Sequence, residues 1–201
     1  MNFDRTTLKS NAKVAIKGNI ATYFVATIIV AAITGIAEVI PVLGAVAWIF
    51  VTLPFQFAFV LMALKMIHGQ KLEIADAFSS FNDTYYLKSI GVYLLVGIFT
   101  ALWSLLLVVP GIIKGLSYSQ APYILAENPQ MGIMECIDAS KQIMDGHKMD
   151  LFLLQLSFIG WCFLCSLTFG IALIYVNPYY NATAANFYEA LKAEKSGAAA
   201  M

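Results

Sequence analysis

The chain has 201 residues, of which 60% are hydrophobic and 12% charged, with 12 basic side chains against 12 acidic ones. Soluble domains carry roughly 45–50% apolar and about 25% charged residues, so a water-soluble enzyme, a disordered regulator and a basic nucleic-acid binder are excluded as first readings. A mean hydropathy of +0.77 leaves a protein dissolved in a bilayer.

The opening carries Arg5, Lys9, Lys13 and Lys17, with the lysines beside Leu8, Ala12, Ala15 and Ile16. Residues 1–19 are expected to form a basic amphipathic helix on the anionic inner leaflet, where each lysine contributes about 1 kcal/mol. The apolar run starts late and no small-residue cleavage site follows it, so an uncleaved anchor is expected rather than a signal peptide.

Charge-free runs then occupy Gly18–Ala37, Val39–Leu64, Ser89–Ile113 and Leu151–Tyr188. A charge at the centre of a membrane helix costs about 2.5–3.5 kcal/mol on insertion scales, and a span needs about 20 apolar residues. The last run holds two spans, with a turn at Thr168, Phe169 and Gly170. A weaker stretch, Gly115–Ala126, reaches spanning length when Gly111, Ile112 and Ile113 are added and Lys114 snorkels to the interface.

The expected fold is therefore all-α, a polytopic membrane bundle of six transmembrane helices near 20–40, 43–66, 88–109, 112–128, 150–168 and 171–192. They pair as three hairpins within residues 20–192, with outer turns at Pro41–Gly44, Pro110–Gly111 and Thr168–Gly170, and a cytoplasmic tail at 193–201 completes a single integral membrane domain. Eleven of the 12 basic residues fall on one side of this arrangement and only Lys114 on the other. By the positive-inside rule both termini are expected in the cytoplasm.

The hairpins share a grammar. An outer Gly begins the second helix and a Pro follows, in the pairs Gly44 with Pro54, Gly111 with Pro122, and Gly170 with Pro178. A Pro in a membrane helix frees a backbone carbonyl that needs a polar partner or a cavity. After the first two Pro helices come amphipathic stretches, Leu72–Phe81 and Ile133–Met144, expected as helices lying in the inner interface.

Candidate pocket residues follow from this pattern. Lys114 and Glu38 are the outer basic and acidic residues, expected either to pair as a gate or, as the favoured reading, to reach headgroups singly. Ser117, Gln120 and Tyr123 lie on the fourth helix, and Asn177, Tyr179 and Asn181 on the sixth. They would line a hydrated pocket or, as membrane Asn and Ser more often do, make interhelical hydrogen bonds worth about 0.6–2 kcal/mol each. Cys162 and Cys165 sit among Trp161, Phe163 and Leu164, where lipid denies them redox or zinc chemistry, and His68 and His147 lack further ligands. No metal or cofactor is expected, and no catalytic residue: a phosphate loop, a Ser elbow and a His-Glu-x-x-His helix are all absent from the sequence.

Several motifs then recur in a recognisable order. They are Trp103-Ser104-Leu105, Val109-Pro110-Gly111-Ile112-Ile113-Lys114, Ala121-Pro122-Tyr123-Ile124-Leu125-Ala126-Glu127-Asn128-Pro129, Gly146-His147-Lys148, Leu156-Ser157-Phe158-Ile159-Gly160-Trp161 and Asn177-Pro178-Tyr179. The sequence resembles the uncharacterised bacterial membrane family called domain of unknown function 975, loosely over the whole chain and well in its C-terminal half. The resemblance implies a multi-pass protein of the bacterial cell membrane, distantly related to the membrane portion of some glycerophosphodiester phosphodiesterases but without their catalytic domain.

The expected function is a non-enzymatic membrane module that binds a partner protein or lipid. Its expected partners are the lipids of the anionic inner leaflet, then a membrane protein or a homo-oligomer, and no nucleic acid. The alternative is a small carrier of an amphipathic substrate through a polar pocket between the Pro-kinked helices. The lack of charged groups deep in the spans favours the module, since coupled ion transport uses intramembrane ionisable residues.

Overall fold

Helical periodicity is realised throughout. The computed structural model describes residues 5–38, 46, 48–168 and 170–199, with the backbone alone at Ala37, Glu38, Trp48, Cys162, Ala198 and Ala199. Secondary structure among the described residues is helical, without a strand.

Helix α1 (Arg5–Ala15) buries Leu8 and Ala12 and lies against the C-terminal helix. Gly18, at φ 83°, then turns the chain, and α1 and α2 (Ile20–Glu38) are bent 86° apart. A side chain with a Cβ rarely adopts that left-handed conformation, so the glycine sets the corner. Asn19, 7% exposed, fastens it: its Oδ1 accepts the Leu72 N–H at 3.0 Å and its Nδ2 donates to the Gln70 carbonyl at 3.3 Å. The amphipathic helix expected over residues 1–19 thus lies across the end of α2.

Helix α3 (Leu53–Ile67) is entered through a π turn (Trp48–Thr52) and followed by a 3-10 turn (Ile74–Phe78). Then come α4 (Tyr86–Leu106), α5 (Val108–Tyr118), α6 (Ala121–Glu127), α7 (Ile133–Ile143), α8 (Lys148–Leu156), α9 (Ile159–Leu167) and α10 (Leu173–Ala199). Among the described residues three segments are long and apolar enough to cross a membrane: Ile49–Ile67, Tyr86–Leu106 and Lys148–Leu167. The bent pair α1–α2 makes a fourth if it is counted as one span.

The second outer turn differs from expectation. The chain reverses at Leu107 (φ −160°, ψ 140°), not at Pro110–Gly111. Pro110 falls in the first turn of α5, where a missing N–H removes no intrahelical bond. Gly111 instead makes room for a neighbouring helix. A Cβ there would overlap the Ser104 side chain and stand 2.8 Å from the Ser104 Cα, while one on Gly115 would meet Thr100 at 3.3 Å. Small residues four apart on both helices let the backbones approach, which matters because lipid supplies no hydrophobic drive between helices. The third turn falls where expected, with α9 ending at Leu167 and Gly170 at φ 87° donating its N–H to the Cys165 carbonyl at 2.8 Å. Pro41–Gly44 lies outside the described residues.

Burial is polarised along the bundle. The core gathers Ile16, Tyr23, Phe57, Met62, Leu125 and Ile137, all at the end that holds α1, the 3-10 turn and α7. The hairpin tips are bare and apolar, from Leu105 (83% exposed) through Val109, and again at Phe163, Leu167 and Ile171. Water-soluble monomers rarely leave such contiguous patches uncovered. Of the two stretches expected as interfacial helices, Ile133–Met144 is α7, whereas Leu72–Phe81 forms only the 3-10 turn, held by rings of Phe55, Phe78 and Phe81 packed edge to face or tilted.

Candidate functional site

The three prolines meet three local solutions. Pro54 starts α3, and the carbonyl four residues before it, that of Phe50, accepts the Tyr86 hydroxyl at 3.1 Å. Pro122 starts α6 after a break at Ser119–Gln120. There Ser140, fully buried on α7, donates its hydroxyl to the Ser117 carbonyl at 2.8 Å and accepts the Gln120 N–H at 3.1 Å. One side chain from a third helix satisfies both sides of the break. Pro178 lies inside an unbroken α10. One turn later Asn181 donates its Nδ2 to the Asn177 Oδ1 at 2.8 Å and to the Tyr23 hydroxyl on α2 at 2.9 Å.

The expected pocket residues are therefore distributed. Ser117 and Gln120 belong to the α5–α6 break, where the Gln120 Nε2 donates to Ser119 at 2.8 Å and its Oε1 is buried without a hydrogen-bond partner. Tyr123 stacks on Tyr188 with ring centroids 5.4 Å apart. Tyr179 packs against Phe158 and Trp161. Asn177 and Asn181 join α10 to α2. Lys114 stands apart, its ammonium 4.8 Å from the Trp103 ring centre, and the Glu38 side chain lies outside the described residues.

A polar layer not foreseen from the sequence closes the buried end. Glu127, at the end of α6, accepts the Tyr188 hydroxyl at 2.7 Å on one oxygen and the Lys192 ammonium at 2.5 Å on the other. Lys192 also reaches Glu189 at 3.1 Å, and Glu189 meets the His68 Nε2 at 3.3 Å. Across a cleft of about 400 Å³, Lys65 pairs with Asp76 at 2.5 Å. Tyr85 spans the same cleft wall by donating to the Ala126 carbonyl at 3.1 Å, and Lys88 donates to the Pro129 carbonyl at 2.5 Å. The layer binds α3, α4, α6 and α10 at one end through mutually neutralised charges. That chemistry suits a lock, since Asp76 is paired with Lys65 while Glu127 and Glu189 share Lys192. Among the described residues no three His, Cys, Asp or Glu side chains converge as metal ligands.

Sequence reasoning singled out neither Glu127 nor Lys192 as a site residue. Glu127 and Lys192 are 65 positions apart and carry no spacing signal. Their opposite charge at the inner ends of two Pro helices was the available hint.

Residues 105–195 match the model of a family described as a protein of unknown function, DUF975. The match takes in α5 to α10 with the Glu127–Tyr188–Lys192 cluster and leaves out α1 to α3 and most of α4. No curated protein and no solved structure matches the chain. The C-terminal part of this helical, membrane-suited chain is similar to that family.

Proposed function

We propose that the chain is a six-span, non-enzymatic module of the bacterial cell membrane, with both termini cytoplasmic, that binds membrane lipid at its inner face. The spans would be α2, the π turn with α3, α4, α5 with α6, α8 with α9, and α10. The observation that carries this reading is the polarity of the bundle: bare apolar hairpin tips at one end, and at the other a hydrogen-bonded layer surrounded by basic residues. Tips of that kind fit hydrocarbon, and an end rich in Lys and Arg fits the cytoplasmic leaflet. Kinship with the membrane portion of glycerophosphodiester phosphodiesterases is part of this proposal and brings no activity with it.

The carrier reading gains no support from the Pro helices. Asn177, Asn181 and Tyr23 satisfy one another, and the cleft between α2 and α10, lined by Phe24, Thr27 and Leu173, measures about 80 Å³. Extraction in native lipid discs with mass spectrometry of co-purifying lipids and proteins tests the proposal. Enrichment of anionic lipid over the bulk membrane, without a stoichiometric protein, is expected. A stoichiometric protein partner with bulk lipid composition would replace lipid binding by an accessory-subunit role, and an enriched soluble amphiphile would restore the carrier.

A further inference from the structure

A second cleft, of about 410 Å³, opens between α1 and the break that separates α8 from α9. Arg5, Lys9 and Lys13 line one wall, spaced four apart and hence on one helix face; Ser157 and Tyr179 line the other. The Lys9 ammonium donates to the Ser157 carbonyl at 3.3 Å and sits 4.5 Å from the Phe158 ring centre, and the Lys13 ammonium lies 5.9 Å from that of Tyr179. No carboxylate among the described residues pairs with any of the three cations. This contrasts with the first cleft, where Lys65, Glu127 and Lys192 are matched by opposite charge. Burial, together with the neighbouring charges of Arg5 and Lys13, holds the Lys9 ammonium below its usual pKa. Three like charges on one helix face, two of them over aromatic rings, call for an anion.

The surroundings define that anion's other half. Phe158, Trp161, Tyr175, Tyr179 and Tyr180 form a continuous ring cluster beside the cations. Rings with an apolar body and a polar tip suit the boundary between a headgroup and its acyl chains. On either side of the Ser157 break, Leu156, Ile159 and Phe163 are exposed along α8 and α9, offering an apolar track. We infer that the cleft of Arg5, Lys9, Lys13, Ser157 and Tyr179 binds the phosphate of an anionic phospholipid headgroup, with the acyl chains running along Leu156, Ile159 and Phe163. This assignment rests on the lipid-binding reading above and narrows it to one site. Lys17, counted with Lys9 and Lys13 in the sequence pattern, lies outside the cleft.

The test titrates the full-length protein in neutral-detergent micelles with phosphatidylglycerol or phosphatidylcholine and counts lipid adducts by native mass spectrometry. Wild type should retain phosphatidylglycerol preferentially, and each cation removed should weaken it about fivefold. K9Q/K13Q should therefore lose the preference while K17Q keeps it. R5Q provides an independent variant at the cleft's edge should the double variant melt early without lipid. Equal losses in K17Q and K9Q/K13Q, or preference retained in both K9Q/K13Q and R5Q, would overturn the site while leaving lipid binding intact. Equal uptake of both lipids by wild type would instead overturn the broader reading and the site with it. Inorganic phosphate at the lipid's concentration should leave the adduct in place; displacement by phosphate alone would assign the cleft to a free anion.

Discussion

Two small residues show how single positions hold this bundle together. Ser140 satisfies a broken helix from outside it, and without its hydroxyl the buried Gln120 N–H and Ser117 carbonyl would each lose a partner, a loss of about 1–3 kcal/mol for a buried unsatisfied group. Gly111 acts by absence. Its expected duty was a turn, because Pro-Gly in sequence signals one; the chain turns four residues earlier, and the glycine permits α4 and α5 to touch. Gly111→Ala should force the Ser104 backbone away and destabilise the hairpin by about 1–3 kcal/mol, the usual cost of overpacking. Gly97→Ala, on the same hairpin but with nothing within 4 Å of the added Cβ, should not. Thermal melts of the detergent-solubilised variants compare the two, and equal stability would remove the close-approach role. Neither glycine's sequence context shows the close approach; only the helix crossing does.

Elements were more legible than residues. Charge-free runs marked α2, α3, α4 and the α8–α9 pair because membrane cost forbids charges there, whatever the tertiary contacts. Breaks were less legible. The same Gly-then-Pro order gives a π turn before α3, a severed helix between α5 and α6, and an unbroken α10; in the first two a distant hydroxyl, of Tyr86 or Ser140, reaches the backbone at the break. The sharpest element boundary is the corner at Gly18. Nothing crowds its Cβ position, so only φ restricts it. Gly18→Ala should cost about 1–2 kcal/mol through left-handed strain, and Gly18→Asn less, since asparagine tolerates that region. Faster tryptic cleavage at Lys17 in the alanine variant, largely restored in the asparagine one, would report loosening of α1 from α2. Indistinguishable cleavage in all three proteins would mean that the Asn19 bonds alone hold the corner.

At the scale of the molecule, the segments expected on one side of the membrane are joined to one another. Asn19 binds the 70–72 loop, Lys88 the Pro129 carbonyl, and Glu127 the far end of α10. Contacts between segments so distant in sequence are compatible with an even number of crossings between them, the arrangement that the distribution of Lys and Arg leads one to expect. Charge bias carries a topology expectation in the sequence, whereas the lock, built from pairs tens of positions apart, carries no signal there. Single cysteines test the orientation, placed in a background lacking Cys136, Cys162 and Cys165. Gln70 and Asp145 are suitable sites, being exposed and free of the positive φ that Gly69 and Gly146 adopt beside them. Both cysteines should resist a membrane-impermeant maleimide in intact cells and react after permeabilisation. Because the loops are fastened together, the two sites should respond alike. Labelling of both in intact cells would invert the bundle without changing its packing, whereas labelling of one alone would contradict an even number of crossings between residues 70 and 145 and so the six-span arrangement.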